Sequence, residues 1–148
     1  MTYTYKRSRT IVISGVAEPP PNLRASERAL DLNKKLDDIF DVLNIDCCAT
    51  EAYRVGKPNQ NRPRLVKVVL PSRFYWRLAL SNARLLNSSG FSDIYIRRSM
   101  TEEERRKEYE LRQEARERNR DCAGREWVVY KGRLTHISEL PRKSSVNQ

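Results

Sequence analysis

Arginine and lysine side chains are concentrated in the middle of the sequence, where they could bind phosphate groups. Residues 51–86 contain eight basic residues and a single acidic residue, Glu51, so this stretch supplies most of the chain's net charge of +10. A local excess of positive charge creates a field that attracts a polyanion. Nucleic acid is the commonest such partner, and the stretch therefore predicts a nucleic-acid-binding surface.

Other chemistry has few candidate residues. The chain has one histidine, His136, and three cysteines, Cys47, Cys48 and Cys122, without a Cys-x-x-Cys pattern. With one histidine and without that ligand spacing the sequence predicts no zinc site, and it offers no nucleophile–histidine arrangement. An adjacent pair with a distant third cysteine is also a poor disulfide framework. We interpret Cys47 and Cys48 as small buried residues at the start of a strand. We expect no enzyme activity, no metal and no cofactor.

Length and composition limit the architecture. A chain of 148 residues with 39% hydrophobic residues predicts one domain with a modest core, or one domain with an appendage. No apolar run approaches the roughly 18 residues of a membrane span, and no signal-peptide core follows Met1. We expect an intracellular protein, in the nucleus, the cytoplasm or both, without a membrane partner.

The elements that would position the basic residues follow the order β-α-β-β-α-β. Apolar, β-branched runs predict strands at residues 9–16, 48–55, 64–70 and 93–98. Apolar residues at helical spacing predict a helix from an N-cap at Ser26, with Ala29 on its buried stripe, and a second helix over residues 71–86. This order predicts a ferredoxin-like α+β fold, in which both helices cover one face of a four-stranded antiparallel sheet.

The rest of the chain predicts additions to this domain. Residues 1–8 are polar and basic and are expected to form a flexible arm before a domain at 9–99. Within residues 100–140, a capping box from Thr101 to Glu104 begins a charged helix, and a hairpin follows with its turn at Lys131-Gly132. Residues 141–148 are expected to form a disordered tail.

An ordered series of short segments resembles a known family. The series consists of IVISGVAE (11–18), AYR (52–54), RPRLVKV (62–68), LSNAR (80–84), IYIR (94–97), MTEEERR (100–106) and EWVVYKGR (126–133). It resembles the nucleic-acid-binding region of the first-open-reading-frame proteins of LINE-type non-LTR retrotransposons. In that family an RNA-recognition-motif-like domain precedes a small carboxy-terminal element.

The resemblance implies a non-catalytic protein that coats RNA and acts as a nucleic-acid chaperone. Arg54, Arg64 and Arg84 fall on positions that are basic in the family, which implies that they contact phosphates. The chain departs from the family in lacking the heptad run of an amino-terminal coiled coil before residue 9. It is therefore interpreted either as a fragment or as a host protein descended from such an element.

The predicted binding surface combines the sheet with the basic stretch. Bases stack on aromatic side chains of the open sheet face in RNA-recognition motifs. Here the outward positions of the first and third strands hold no aromatic residue; they are Val12, Ser14, Leu65, Lys67 and Val69. Tyr95 and Tyr53 are therefore the predicted stacking residues. The full set of predicted contact residues is Arg54, Lys57, Arg62, Arg64, Lys67, Arg73, Arg84, Tyr95, Arg97 and Arg98.

Two functions remain open at this stage. The first is binding of RNA or single-stranded DNA with little sequence preference, because basic side chains position a phosphate backbone without reading bases. The second is a protein-interaction or dimerisation module, because Val12, Leu65 and Val69 would form an apolar patch that another polypeptide could cover. In that case a protein partner or a second copy of the chain would exclude RNA from the sheet.

Overall fold

The structure is a computed structural model that describes residues 2–141, with side chains from Tyr5 onward. The disordered tail expected at residues 141–148 lies outside the described residues except for Pro141, which has no regular secondary structure. The chain divides into two compact units, which we call unit 1 (Met1–Ser99) and unit 2 (Met100–Gln148).

Unit 1 is an α+β unit built on a four-stranded antiparallel sheet. Its strands are β1 (Thr10–Ser14), β2 (Glu51–Val55), β3 (Leu65–Val69) and β4 (Tyr95–Arg98), in the spatial order β2-β3-β1-β4. All four lie inside the predicted ranges, and each is shorter than predicted. Cys48 is consequently in a loop and exposed, so the prediction that it is buried in a strand is wrong.

Helices of unit 1 cover one face of this sheet. They are α2 (Ala25–Leu43), α3 (Arg73–Asn82) and the short α4 (Leu85–Ser88), which follows a break in the single helix predicted over residues 71–86. The core contains alternate residues of β1 and β3 together with the apolar stripe of α2. Ala29 is exposed rather than part of that stripe. The helix begins before Ser26, and the Glu27 carboxylate accepts the backbone N–H of Arg24 at 3.0 Å.

The amino-terminal arm contains a helix that the sequence did not predict. Residues Thr2–Arg7 form α1. The hydroxyl of Thr10 donates a hydrogen bond to the carbonyl oxygen of Lys6 at 2.7 Å, which ties the end of α1 to the first residue of β1. At the other end of β1, Gly15 has a φ of +88°, and a Cβ there would overlap the carbonyl oxygen of Asp93. Glycine therefore lets the segment before β4 pass closely.

Unit 2 contains one long helix and a hairpin. Helix α5 (Glu102–Arg120) begins as predicted, with the Thr101 hydroxyl accepting the backbone N–H of Glu104 at 3.1 Å. Strands β5 (Trp127–Tyr130) and β6 (Arg133–His136) pair in antiparallel fashion and lead into a 3-10 turn at Ile137–Glu139. Lys131 and Gly132 both have positive φ, which is the conformation that a two-residue hairpin turn requires.

Candidate nucleic-acid interface

The sheet face opposite α2, α3 and α4, which we call the open face, carries a row of side chains that crosses all four strands. Strand register places Tyr53 opposite Lys67, Lys67 opposite Val12, and Val12 opposite Arg97. Neighbouring strands lie about 4.8 Å apart, so the row spans about 14 Å. The row therefore places one basic side chain on each side of a central valine.

Two exposed tyrosines lie on the edge strands of this face, Tyr53 within the row and Tyr95 beside it. Tyr53, on edge strand β2, is 46% exposed, and Tyr95, on edge strand β4, is 65% exposed. The valines between the edges, Val12 and Val69, are 3% and 2% exposed. Ring surface that is accessible to a ligand consequently lies at the two edges of the sheet. This differs from a platform built on the two central strands.

A cleft of about 400 Å³ lies where α1 meets the open face. Lys6 and Arg7 of α1 line it together with Thr10, Tyr53 and Lys67. Lys6 forms an ion pair with Glu51 at 2.7 Å. Glu51 is the one acidic side chain on the described strand residues of this face, and the pairing places a cation against it. The two basic residues of α1 were missed as site candidates because the arm has no apolar periodicity.

Arg54 and Arg64 lie away from this face, in a cluster around Glu18. Arg64 binds both carboxylate oxygens of Glu18, with Nε–Oε1 and Nη2–Oε2 distances of 2.9 and 3.0 Å. Its backbone N–H also donates to Glu18 Oε1 at 3.0 Å. Arg54 Nη1 donates to the carbonyl oxygen of Val16 at 2.7 Å, and Arg54 Nη2 donates to that of Ala17 at 2.5 Å. Only 8% of the Arg54 side chain is exposed.

This cluster perturbs the titration of its carboxylate. The hydrogen bonds from the Arg64 side chain lower the pKa of Glu18 to about 2, against the opposing effect of burial, and the charge of Arg54 adds to the lowering. Lys35 reaches the same loop, because its ammonium donates to the Ala17 carbonyl oxygen at 2.8 Å and to Asp31 at 2.7 Å. The geometry is that of a clamp on the loop after β1. The phosphate-contact role of Arg54 and Arg64 stays a prediction, on groups that already have protein partners.

The remaining predicted residues, Lys57, Arg62, Arg73, Arg84 and Arg98, lie in three different places. Lys57 and Arg62 are exposed at the loop between β2 and β3, where Asn59 and Arg62 form an isolated bridge. Arg73, Arg77 and Arg84 are exposed along α3 and the turn after it, on the helical side of unit 1. Arg98 is exposed on β4. Of the ten predicted residues, the structure brings Lys67, Tyr95 and Arg97 together on the open face, and it places the others elsewhere.

The part of the chain that the structure describes lacks the features of two other functional classes. Within residues 2–141, no group of histidine, cysteine, aspartate or glutamate side chains has the arrangement of a metal site. None of the described helices is long and apolar enough to cross a membrane. In comparisons with known proteins, the sequence matches no family model and no curated protein.

Proposed function

We propose that the protein binds single-stranded nucleic acid, RNA or DNA, across the open face of unit 1 without catalysing a reaction. The observation that carries the proposal is the row from Tyr53 through Lys67 to Arg97, with exposed Tyr95 beside it. Basic side chains in the row would contact phosphates, and the edge tyrosines would stack on bases. Single strands are the natural ligand, because only unstacked bases can reach the rings.

The strand order supports a finer assignment of the fold. An order of β2-β3-β1-β4 with both long helices on one face is the arrangement expected of a ferredoxin-like domain of the RNA-recognition-motif type. The resemblance to retrotransposon first-open-reading-frame proteins supports the same assignment and, with it, a role in coating or annealing RNA. Because fold alone says little about function, the proposal rests on the side chains of the open face.

Oligonucleotide binding by the full chain tests the proposal. The probe is a fluorescently labelled RNA of mixed sequence and about 20 nucleotides, and the readout is anisotropy over a series of salt concentrations. The double variant Lys67→Gln/Tyr95→Ala should bind about tenfold more weakly or worse, because stacking on one aromatic side chain is worth about 1–3 kcal/mol per base. A labelled duplex of the same length should bind more weakly than the single strand.

The matched control removes the same chemistry from α5. Lys107 is exposed, and Tyr109 is 62% exposed, close to the 65% of Tyr95. Lys107→Gln/Tyr109→Ala should therefore leave the affinity within about twofold of wild type. Equal losses in the two double variants would show that the effect is one of overall charge and would remove the open face as the site.

A second candidate function is self-association through the open face. Val12 and Val69 are almost fully buried, so the apolar patch that the sequence predicted is not exposed. The observation that favours self-association is instead the exposed apolar surface of Tyr53, Val55 and Tyr95 on the two edge strands of this face. Analytical ultracentrifugation across a hundredfold range of protein concentration separates the two functions. A monomer at every concentration that binds RNA supports nucleic-acid binding, and a dimer that dissociates in Val55→Glu, at an exposed position of β2, and does not bind RNA supports self-association.

A further inference from the structure

A groove in unit 2 lies between α5 and β5. Its volume is about 800 Å³. Ala115 of the helix and Trp127, Val128 and Val129 of the strand supply an apolar lining. Four arginines line the same groove: Arg112, Arg116, Arg120 and Arg125. No acidic residue is among the side chains that line it, within the part of the chain that the structure describes.

Hydrogen bonds to one asparagine fix the geometry of this groove. Asn119 Oδ1 accepts the backbone N–H groups of Glu126 and Trp127 at 3.0 and 2.7 Å, and its Nδ2 donates to the carbonyl oxygen of Trp127 at 2.8 Å. The guanidinium of Arg118 lies 4.5 Å from the centroid of the Trp127 ring. The hairpin is therefore held against the last two turns of the helix, and the groove does not need a ligand to form.

The spacing of the arginines follows from helix geometry. Arg112, Arg116 and Arg120 are four residues apart, so they lie on one side of α5 at intervals of about 6 Å. Arg125 adds a fourth guanidinium from the loop after the helix. Arg112 has a carboxylate neighbour, Glu108, at 3.3 Å, and its side chain is 63% exposed. An exposed ion pair of this kind is worth little and can be exchanged for a stronger anion.

The net charge of α5 does not indicate that one side of the helix is lined by arginines. The helix contains seven acidic and seven basic residues, so its net charge is zero. Three of its acidic residues, Glu102, Glu103 and Glu104, lie in the first turn, whereas the groove uses bases of the second half. A helix that is neutral as a whole therefore has a face with a strong positive field.

We infer that this groove is a second binding site for the phosphate backbone of single-stranded nucleic acid, separate from the open face. Its ligand class rests on the proposed function. Arginine suits this ligand because its planar fork binds two phosphate oxygens at once, and successive guanidinium groups can follow successive phosphates along one strand. The apolar lining gives bases a surface to pack against.

An acidic peptide is a less suitable ligand for the same groove. Extended peptides are usually held by hydrogen bonds to their own backbone. At Trp127 the backbone N–H and carbonyl groups that could supply such bonds are already paired with Asn119. The side-chain amide of Asn119 is engaged in the same contacts, which leaves the guanidinium groups as the main polar contacts that the groove offers.

Salt dependence of binding tests the inference in the full chain. The groove variant is Arg112→Gln/Arg116→Gln/Arg120→Gln. The control variant is Arg105→Gln/Arg106→Gln/Lys107→Gln, which removes three exposed charges from the same helix outside the groove. Because each phosphate contact on a single strand contributes about 0.7 to the slope of log K against log salt, the groove variant should lose about 2 from the magnitude of that slope. The control should keep the wild-type slope, and circular dichroism should show equal helix content in all three proteins.

Each outcome separates this site from the open face. A reduced slope in the groove variant alone supports the groove, whatever Lys67→Gln/Tyr95→Ala does. Equal slopes in the groove and control variants overturn it, and a loss of affinity confined to Lys67→Gln/Tyr95→Ala would then leave the proposed function standing. Groove-dependent binding of a labelled oligoglutamate of equal charge, without groove-dependent binding of RNA, also overturns the inference. A wild-type chain that binds no RNA at low salt overturns both proposals.

Discussion

At the scale of single residues, the protein groups that bind an arginine determine whether its guanidinium is available to a phosphate. Arg54 and Arg64 were predicted to contact phosphates because they are basic and fall on basic positions of the resembled family. In the structure Arg64 binds the carboxylate of Glu18, and Arg54 donates to carbonyl oxygens of the loop after β1. Glu18 lies 46 residues before Arg64 in the chain, so no local pattern in the sequence indicates the pair.

Acid should weaken the fold through Glu18. Its pKa of about 2 in the folded state lies below the ordinary value of 4.5, so protons bind more readily to the unfolded chain. The stabilisation is complete above pH 4.5 and is lost as the pH falls towards 2. After a discount for the partial exposure of the pair, we expect a contribution of about 2 kcal/mol.

Urea denaturation at several pH values measures this contribution. The difference in free energy of unfolding between wild type and Glu18→Gln should shrink by about 2 kcal/mol from pH 5 to pH 2. The control is Glu110→Gln, which removes a carboxylate from an exposed position of α5 outside the Glu18 cluster. A gap for Glu18→Gln that stays constant across this range would contradict the assigned role.

At the scale of elements, hydrophobic patterning predicted the strands, α2 and the hairpin because each has a periodic apolar face. It did not predict α1, which has almost no such face, or the break between α3 and α4, where Ala83 and Arg84 keep helical backbone angles. Some residues of the candidate sites could be predicted from the sequence and others could not. Strand alternation predicts Lys67, Tyr95 and Arg97. Tertiary packing, which no short sequence pattern indicates, brings Lys6 and Arg7 to the open face and forms the groove of unit 2.

The contact between α5 and its hairpin should depend on one side chain. Replacing Asn119 with alanine removes three hydrogen bonds and leaves the backbone N–H groups of Glu126 and Trp127 and the carbonyl group of Trp127 without that partner. The expected cost is about 1–3 kcal/mol, confined to unit 2. Hydrogen exchange should become faster for the amides of β5 and β6 and stay unchanged for β1 and β3.

A neighbouring substitution on the same helix serves as its control. Glu117 is exposed, so Glu117→Ala should leave exchange in the hairpin close to wild type. If Asn119→Ala and Glu117→Ala gave the same exchange rates in β5, packing of Trp127 rather than the asparagine would hold the hairpin in place.

At the scale of the whole molecule, a charge excess that is continuous in sequence is divided in space. The basic stretch contributes Lys67 to the open face and Arg54 and Arg64 to the clamp on the loop after β1. Arg73, Arg77 and Arg84 lie on the surface of α3 and the turn after it. Charges on the helical side of unit 1 would still act on a nucleic acid at a distance. Such action is limited by the Debye length, which is about 8 Å at physiological salt and about 30 Å at 0.01 M.

Removing the charges of α3 should therefore change the rate of association rather than the contacts of the bound state. In Arg73→Gln/Arg77→Gln/Arg84→Gln, we expect the association rate with labelled RNA to fall a few-fold at 0.01 M salt and to match wild type at 0.15 M. The dissociation rate should stay close to wild type at both salt concentrations. Lys67→Gln/Tyr95→Ala should instead dissociate faster at both salt concentrations, because it loses direct contacts.

Stopped-flow fluorescence measures both rates. A faster dissociation of the α3 variant at 0.15 M salt would mean that the helical side holds the ligand, as the sequence predicted for Arg73 and Arg84, and that the open face does not account for binding by itself.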